Sequence, residues 1–270
     1  MYNKKLFVSA LVALGCMQAV FAGEKLSVAA TPVPAAEILE FMKPALAKEG
    51  VDLEVVVFTD YIQPNQQVAQ KNIMMNCFQH KPHLDTFNKQ TGAKLVPVGY
   101  VYVPPLGAYS HKVKTLSDLP EGASVAIPND TTNSTRALLL LEKGGLIKLK
   151  DPTDITATVL DITENPKKLV FKELEAATLP RVVDDVDLAV INTNYALEAK
   201  LNPKKDALVL EDAGSLYANL CATDPAYQDS PLVAKLMKEW HSPATVQFIE
   251  EKYKGTIIPV GLQQGELIKE

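Results

Sequence analysis

Cys77, His80 and His83 stand three residues apart in the stretch "MMNCFQHKPHL". A thiolate and two imidazoles are the ligands that zinc or copper prefers, provided at least three converge on one point at about 2.0–2.3 Å. On a helix, two steps of three residues turn positions 77 and 83 to faces roughly 120° apart. Pro82 further disfavours a helical conformation at Lys81. A metal site here therefore requires an irregular loop and a fourth ligand from elsewhere in the chain. The competing chemistry is a pocket wall built from Phe78 and His80, which needs polar anchors from other segments. Arg136 is the foremost of these. It lies one turn inside a helix whose start, "NDTTN", offers Asn and Thr caps, so that helix dipole and guanidinium both favour an anion there. The alternative for Arg136 is a surface position at the end of a polar loop.

Signatures of catalysis are sparse. The chain has no G-x-S-x-G, H-E-x-x-H, P-loop or C-x-x-C pattern, and no cofactor is expected. Asp184, Asp185 and Asp187 lie close together, so paired-carboxylate chemistry is the alternative, but they read better as a solvated turn ahead of a buried strand.

The elements that must position these residues follow from hydrophobic period. "LSVAA" reads as a strand, Ile38, Leu39, Met42, Ala45 and Leu46 recur at helical spacing up to Gly50, and "VDLEVVVF" is β-rich. Such a unit implies parallel strands joined by a right-handed crossover. The same grammar recurs in "ASVAIP", "NSTRALLLLEKGGL" and "DLAVIN", which places the chain in the α/β class. Two late helices begin at Ser230-Pro231 and Ser242-Pro243, with serine as N-cap and proline in the first turn, and Gly255 stops the second. The stretches "YVPPLGAYS" and "AGSLYANL" are the two places where the chain is expected to pass between lobes.

Composition narrows the compartment and the partners. Asp and Glu number 32 against 27 Lys and Arg, so no basic field exists to hold nucleic acid. Lys4 and Lys5 precede the apolar run "LFVSALVALGCMQAVFA", which reads as a secretory signal over residues 1–22, too short for a membrane span. Cleavage after Ala22 is preferred over lipidation of Cys16 within "ALGC". Either route places the protein outside the cytoplasm, in the periplasm, with Cys16 as the alternative membrane tether. Beyond the leader only Cys77 and Cys221 remain, and an oxidising compartment permits a disulfide between them without requiring it.

Seven ordered blocks carry a resemblance: "FTDYIQPN", "NCFQHKPHL", "AIPNDTTNSTRALLLLEKGGLIKLK", "DITENPKKL", "ELEAATLPR", "AVINTNYALEA" and "LYANL". In order and spacing they resemble the NlpA lipoprotein family of methionine-binding proteins that serve ABC importers. The likeness runs from about residue 25 to 258. It implies a two-lobed periplasmic-binding-protein fold whose cleft closes on one amino acid, and a transporter permease as partner. By this resemblance, Arg136 binds the ligand carboxylate, with Asn133 as a helix cap making one further contact. Asn192 and Asn219 hold the amino-acid backbone, and Tyr61, Phe78 and His80 surround the thioether.

The expected lobes are residues 23–106 with 221–270, and residues 107–220. Departures from the family pattern are Cys77, His83 where a tyrosine is usual, Thr132 in place of proline and Met74 in place of aspartate. If His83 lines the pocket, the preference shifts from L-methionine toward D-methionine, a methionine dipeptide or another small amino acid. Asn194 and Tyr195 read as cap and packing residues, Arg181 as structural, and His111 and His241 as solvated positions. The alternative to this assignment is a metal-binding protein built on Cys77, His80 and His83.

Overall fold

The computed structural model of the chain describes residues 23–212 and 216–260; the leader, with its Ala22 and Cys16 alternatives, lies outside them. In chain order come β1 (Glu24–Ala30), α1 (Glu37–Lys48), β2 (Val51–Val57), α2 (Gln63–Ala69), β3 (Met75–His80), α3 (Lys81–Thr91) and β4 (Val96–Val103). Next are β5 (Gly107–Tyr109), β6 (Ser124–Pro128), α4 (Thr131–Lys143), β7 (Lys148–Leu149), β8 (Ile162–Glu164), β9 (Val170–Leu174), β10 (Leu188–Ile191), α5 (Thr193–Glu198), α6 (Pro203–Asp206) and β11 (Ala207–Leu210). The described chain closes with β12 (Asn219–Thr223), α7 (Pro231–Trp240), α8 (Pro243–Tyr253) and β13 (Ile258–Pro259).

The strands form two main sheets. One has the order β13-β4-β12-β3-β1-β2 and the other β11-β5-β10-β6-β9, with β7 and β8 pairing separately. β1 runs parallel to both β2 and β3, as the βαβ pattern predicts, and β6 runs parallel to β9 and β10. The inner strands β3, β6 and β10 are buried along nearly their whole length, and β6 and β10 read as apolar-rich runs, whereas the edge strands β2 and β9 keep exposed, charged positions. Leu26, Val28, Met42, Leu236 and Trp240 pack the first core, and Val125, Leu138, Leu141 and Val190 the second.

The chain passes from the first sheet to the second between β4 and β5, at Pro104–Leu106, and returns between β11 and β12. The first passage lies within "YVPPLGAYS"; the second begins at Glu211, before "AGSLYANL", whose last two residues already belong to β12. In each sheet, successive crossovers leave one strand in opposite directions: β1 is flanked by β2 and β3, and β6 by β9 and β10. At such a switch point the loops after neighbouring strands diverge and leave a crevice at the carboxyl ends. The two crevices face one another across the cleft.

Serine caps the last two helices as expected: Ser230 accepts from the Leu232 amide and Ser242 from the Thr245 amide. Helix α8 ends with both Lys254 and Gly255 in the left-handed region, at φ of 50° and 77°. Pro82 does not break regular structure. It sits in the first turn of α3, where its missing N–H costs nothing, so Cys77 lies on a strand and His83 on the following helix. Where a metal site would require an irregular loop, the chain has a strand-to-helix junction. No helix among the described residues is long and apolar enough to cross a membrane.

Candidate functional site

A narrow cavity lies between the two sets of carboxyl-end loops. All eight residues expected from the sequence line it: Tyr61, Phe78, His80, His83, Asn133, Arg136, Asn192 and Asn219. Gln79, Pro104, Thr193 and Asn194 complete the wall. Tyr61 follows β2, Phe78 and His80 end β3, and His83 opens α3. Asn133 and Arg136 come from the first turns of α4, Asn192 to Asn194 follow β10, and Asn219 begins β12 opposite His80.

The cap of α4 is Asp130, not the Asn or Thr side chains expected from "NDTTN"; its carboxylate accepts from the Asn133 backbone amide at 3.0 Å. That acceptor sets the polarity of a whole chain of side chains. The Asn133 amide nitrogen must face the carboxylate, which it meets at 3.0 Å from both oxygens. Its Oδ1 therefore turns the other way and accepts from Asn192 Nδ2 at 3.0 Å and from His80 Nε2 at 3.2 Å. His80 Nδ1 accepts from the His83 backbone amide, which places the proton on Nε2. Asn192 is thereby left presenting its Oδ1, a buried acceptor without a partner among the described residues.

A second chain begins at Tyr61. Its hydroxyl donates to Asn194 Oδ1 at 2.5 Å, so Asn194 presents its Nδ2, a buried donor without a partner among the described residues. Asn194 was expected to serve as a cap; the N-cap position of α5 is instead Asn192, whose side chain makes no capping bond, and Asn194 belongs to the cavity. Burial, and then the neighbouring Tyr195 hydroxyl, push the Tyr61 phenol well above its ordinary pKa, which keeps it a donor. Burial, with Arg136 and His83 nearby, lowers His80 to about 3, so its imidazole is neutral. Burial works to raise Asp130, but the His83 imidazole and the Asn133 amides prevail and hold it below the usual carboxylate range.

Arg136 is only 2 % exposed, so it is no surface arginine. Glu211, a residue that no sequence motif marks, takes one fork of the guanidinium: Nε donates to Oε1 at 2.9 Å and Nη2 to Oε2 at 2.5 Å. Nη2 also donates to the Pro104 carbonyl, and the guanidinium carbon lies 4.6 Å over the Tyr217 ring. Nη1 makes no hydrogen bond among the described residues. On the opposite side of the cavity, Tyr61, Phe78 and His83 form an aromatic wall with ring centroids 5.9–6.0 Å apart. The buried amides of Asn65, Asn76 and Gln79 bond to one another and brace the end of β3.

The metal arrangement is overturned. Cys77 is bonded to Cys221 across the adjacent strands β3 and β12, so no thiolate is left to bind a cation. Both His80 nitrogens are engaged, and His83 Nε2 meets the Tyr61 carbonyl at 3.2 Å. Among the described residues no group of three or more His, Cys, Asp or Glu side chains suits a metal ion.

Other expectations divide. His111 is exposed and pairs with Asp184, but His241 is half-buried between the Met237 and Tyr100 carbonyls, at 2.8 and 2.9 Å. Asp184 and Asp185 are exposed, whereas Asp187 bonds the Ser124 amide and hydroxyl and ties β6 to the turn before β10. Arg181 is exposed. Tyr195 does more than pack: its hydroxyl donates to the Thr59 carbonyl, across the cleft.

The family model described as NlpA lipoprotein matches residues 26–261. The chain belongs to the NlpA lipoprotein family. Among its relatives, Outer membrane lipoprotein 3 of Mannheimia haemolytica is 44 % identical over 236 residues, covering 87 % of this chain and 90 % of that protein. D-methionine-binding lipoprotein MetQ of Escherichia coli K12 is 46 % identical over 215 residues, 79 % of each. A solved structure of a nutrient binding protein from Burkholderia cenocepacia bound to methionine superposes with a TM-score of 0.84 at 49 % identity, covering 87 % of this chain and 99 % of the other. The fold is the two-lobed architecture of periplasmic substrate-binding proteins.

Proposed function

We propose that this NlpA-family chain is an extracytoplasmic solute-binding protein that captures methionine between its lobes and delivers it to an ABC importer. The observation that carries the proposal is the polar pattern of the cavity. A zwitterion needs an acceptor for its ammonium group and donors for its carboxylate, all withdrawn from water. Asn192 Oδ1 is such an acceptor and Asn194 Nδ2 such a donor, each fixed in orientation by the chains described above; Arg136, held by Glu211 and the Pro104 carbonyl, adds Nη1 as a second donor. The carboxylate meets Arg136 through Nη1 rather than through a full fork, because Glu211 holds the other edge. Asn219, whose amide nitrogen is engaged by the Phe78 carbonyl, contributes its oxygen to the ammonium group. Asn133 acts chiefly by orienting Asn192.

The thioether lies against Tyr61, Phe78, His80 and His83. Burying a methionine side chain contributes about 1.5–3 kcal/mol, with a little more from sulfur–aromatic contact. Micromolar affinity requires about 8 kcal/mol, so the oriented polar groups must supply most of the remainder.

We assign residues 23–106 and 221–270 to one lobe and 107–220 to the other. The crossovers near Pro104 and after Leu210 support this division, with β12 joining the first sheet from Asn219. Lobe closure is the working motion, and no chemical step is needed. The lipoprotein names of the relatives support export and a lipid tether at Cys16.

A thermal-shift panel of L- and D-amino acids and methionine dipeptides tests the reading. Methionine at one hundred times its dissociation constant should raise the melting temperature by about 5–10 °C. Failure of both methionine enantiomers to move it, while another solute does, would refute the assignment.

A further inference from the structure

Glu211 occupies a position that joins three parts of the molecule. Its carboxylate bonds Arg136 through both oxygens, and Oε2 also accepts from the Leu106 amide at 3.1 Å. Its backbone amide donates to the Leu106 carbonyl at 2.9 Å. Leu106 lies in one passage between the sheets and Glu211 at the start of the other, so this residue pins the two together beside the ligand's anionic end. The pair is sheltered: the side chains of Arg136 and Glu211 are 2 % and 15 % exposed.

We propose that Glu211 is a specificity-determining positioning residue that sets the net charge the site accepts, admitting zwitterions and excluding carboxylates of the same shape that lack an ammonium group. This inference rests on methionine being the ligand.

Without Glu211, Arg136 would lose the carboxylate bonded to it, and any small carboxylate would gain from the freed guanidinium. With Glu211, the pair carries no net charge and exposes only the Nη1 edge as donor. A zwitterion then enters a closed, low-dielectric cavity without bringing net charge, whereas a lone carboxylate brings an unbalanced negative charge that must be desolvated. The two ends of methionine respond in opposite directions to Glu211, so its affinity depends weakly on that charge. An analogue with only the carboxylate responds fully. A unit charge about 10 Å away, at an effective dielectric near 20, changes an equilibrium by more than tenfold.

The test is calorimetry of the full mature chain with methionine and with its α-keto acid analogue, which keeps the thioether and carboxylate but replaces the amine. The intact protein should prefer methionine by well over tenfold. Glu211→Gln should cut that preference at least tenfold, with Glu211→Asp keeping it near the original ratio even where overall affinity falls. Should the glutamine variant fail to fold, Glu211→Ala supplies the same comparison without a misdirected amide.

Equal weakening of both ligands in the charge-removing variants would overturn the proposal and leave Glu211 a structural pin. So would an intact protein that binds the keto acid as tightly as methionine. Failure of the intact protein to bind methionine at all would instead refute the assigned function.

Discussion

Truncating Arg136 should separate binding from stability, because the structure gives this side chain a partner on each side. Arg136→Ala removes the Nη1 donor facing the cavity and strands Glu211, which is only 15 % exposed and loses both charge-assisted bonds. Breaking a buried pair from one side costs about 3–5 kcal/mol, and the partial exposure of Glu211 argues for the lower figure. For a chain of this size, about 3 kcal/mol corresponds to a fall of roughly 6–12 °C in melting temperature.

Affinity should fall by about 2–5 kcal/mol, between thirtyfold and several thousandfold, since the ligand carboxylate is also left unpaired. The double variant Arg136→Ala/Glu211→Ala removes both charges. It should regain most of the lost stability, because replacing a buried ion pair entirely is often close to neutral, while binding stays lost. Calorimetry with L- and D-methionine and thermal denaturation monitored by circular dichroism measure the two quantities on the same samples. Affinity within threefold of the parent in Arg136→Ala would show that the carboxylate is held elsewhere. A double variant as unstable as the single one would show that lost packing, not a stranded carboxylate, is responsible.

Three further outcomes follow from the same geometry. The Cys77–Cys221 bond closes a span of 144 residues, so Cys77→Ala/Cys221→Ala should lose about 5 kcal/mol by the loop-entropy estimate; in the mature parent, cysteines that alkylate without reductant after denaturation would disprove the bond. His80 has a folded pKa of about 3 against 6.5 unfolded, so the unfolded state takes up the extra proton between these values. Stability should therefore be undiminished above pH 6.5 and fall as pH drops toward 3, by up to about 1.4 kcal/mol per unit, and His80→Asn should remove that component; parallel stability–pH curves for the two proteins would contradict the buried neutral imidazole. Tyr195→Phe deletes the bond to the Thr59 carbonyl across the cleft and should weaken methionine binding by two- to tenfold with the cavity wall intact; unchanged affinity would show that this bond does not favour closure.

Local pattern in the sequence by itself determined the α/β class, the β1–α1–β2 unit, the β6–α4 unit and the serine caps of α7 and α8. These depend on periodicity and on the intrinsic preferences of serine, proline and glycine, which act over a few residues. The seven blocks also placed all eight expected residues around one cavity, because their order along the chain reflects a shared architecture.

Tertiary structure alone decided the rest. "MMNCFQHKPHL" imitates a metal site in one dimension, yet the β3–β12 pairing brings Cys221 beside Cys77 and a strand-to-helix junction separates Cys77 from His83. Glu211 reaches Arg136 from 75 residues away, and Tyr61 reaches Asn194 from 133. Nothing in the neighbourhood of either residue in the chain announces such contacts. Which atom an asparagine turns toward the cavity is settled by its partners, and Asp130 acts as the acceptor that orients Asn133, Asn192 and His80 in turn. Residue types are written in the chain, but the direction in which their hydrogen bonds point is a property of groups brought together only when both lobes have folded.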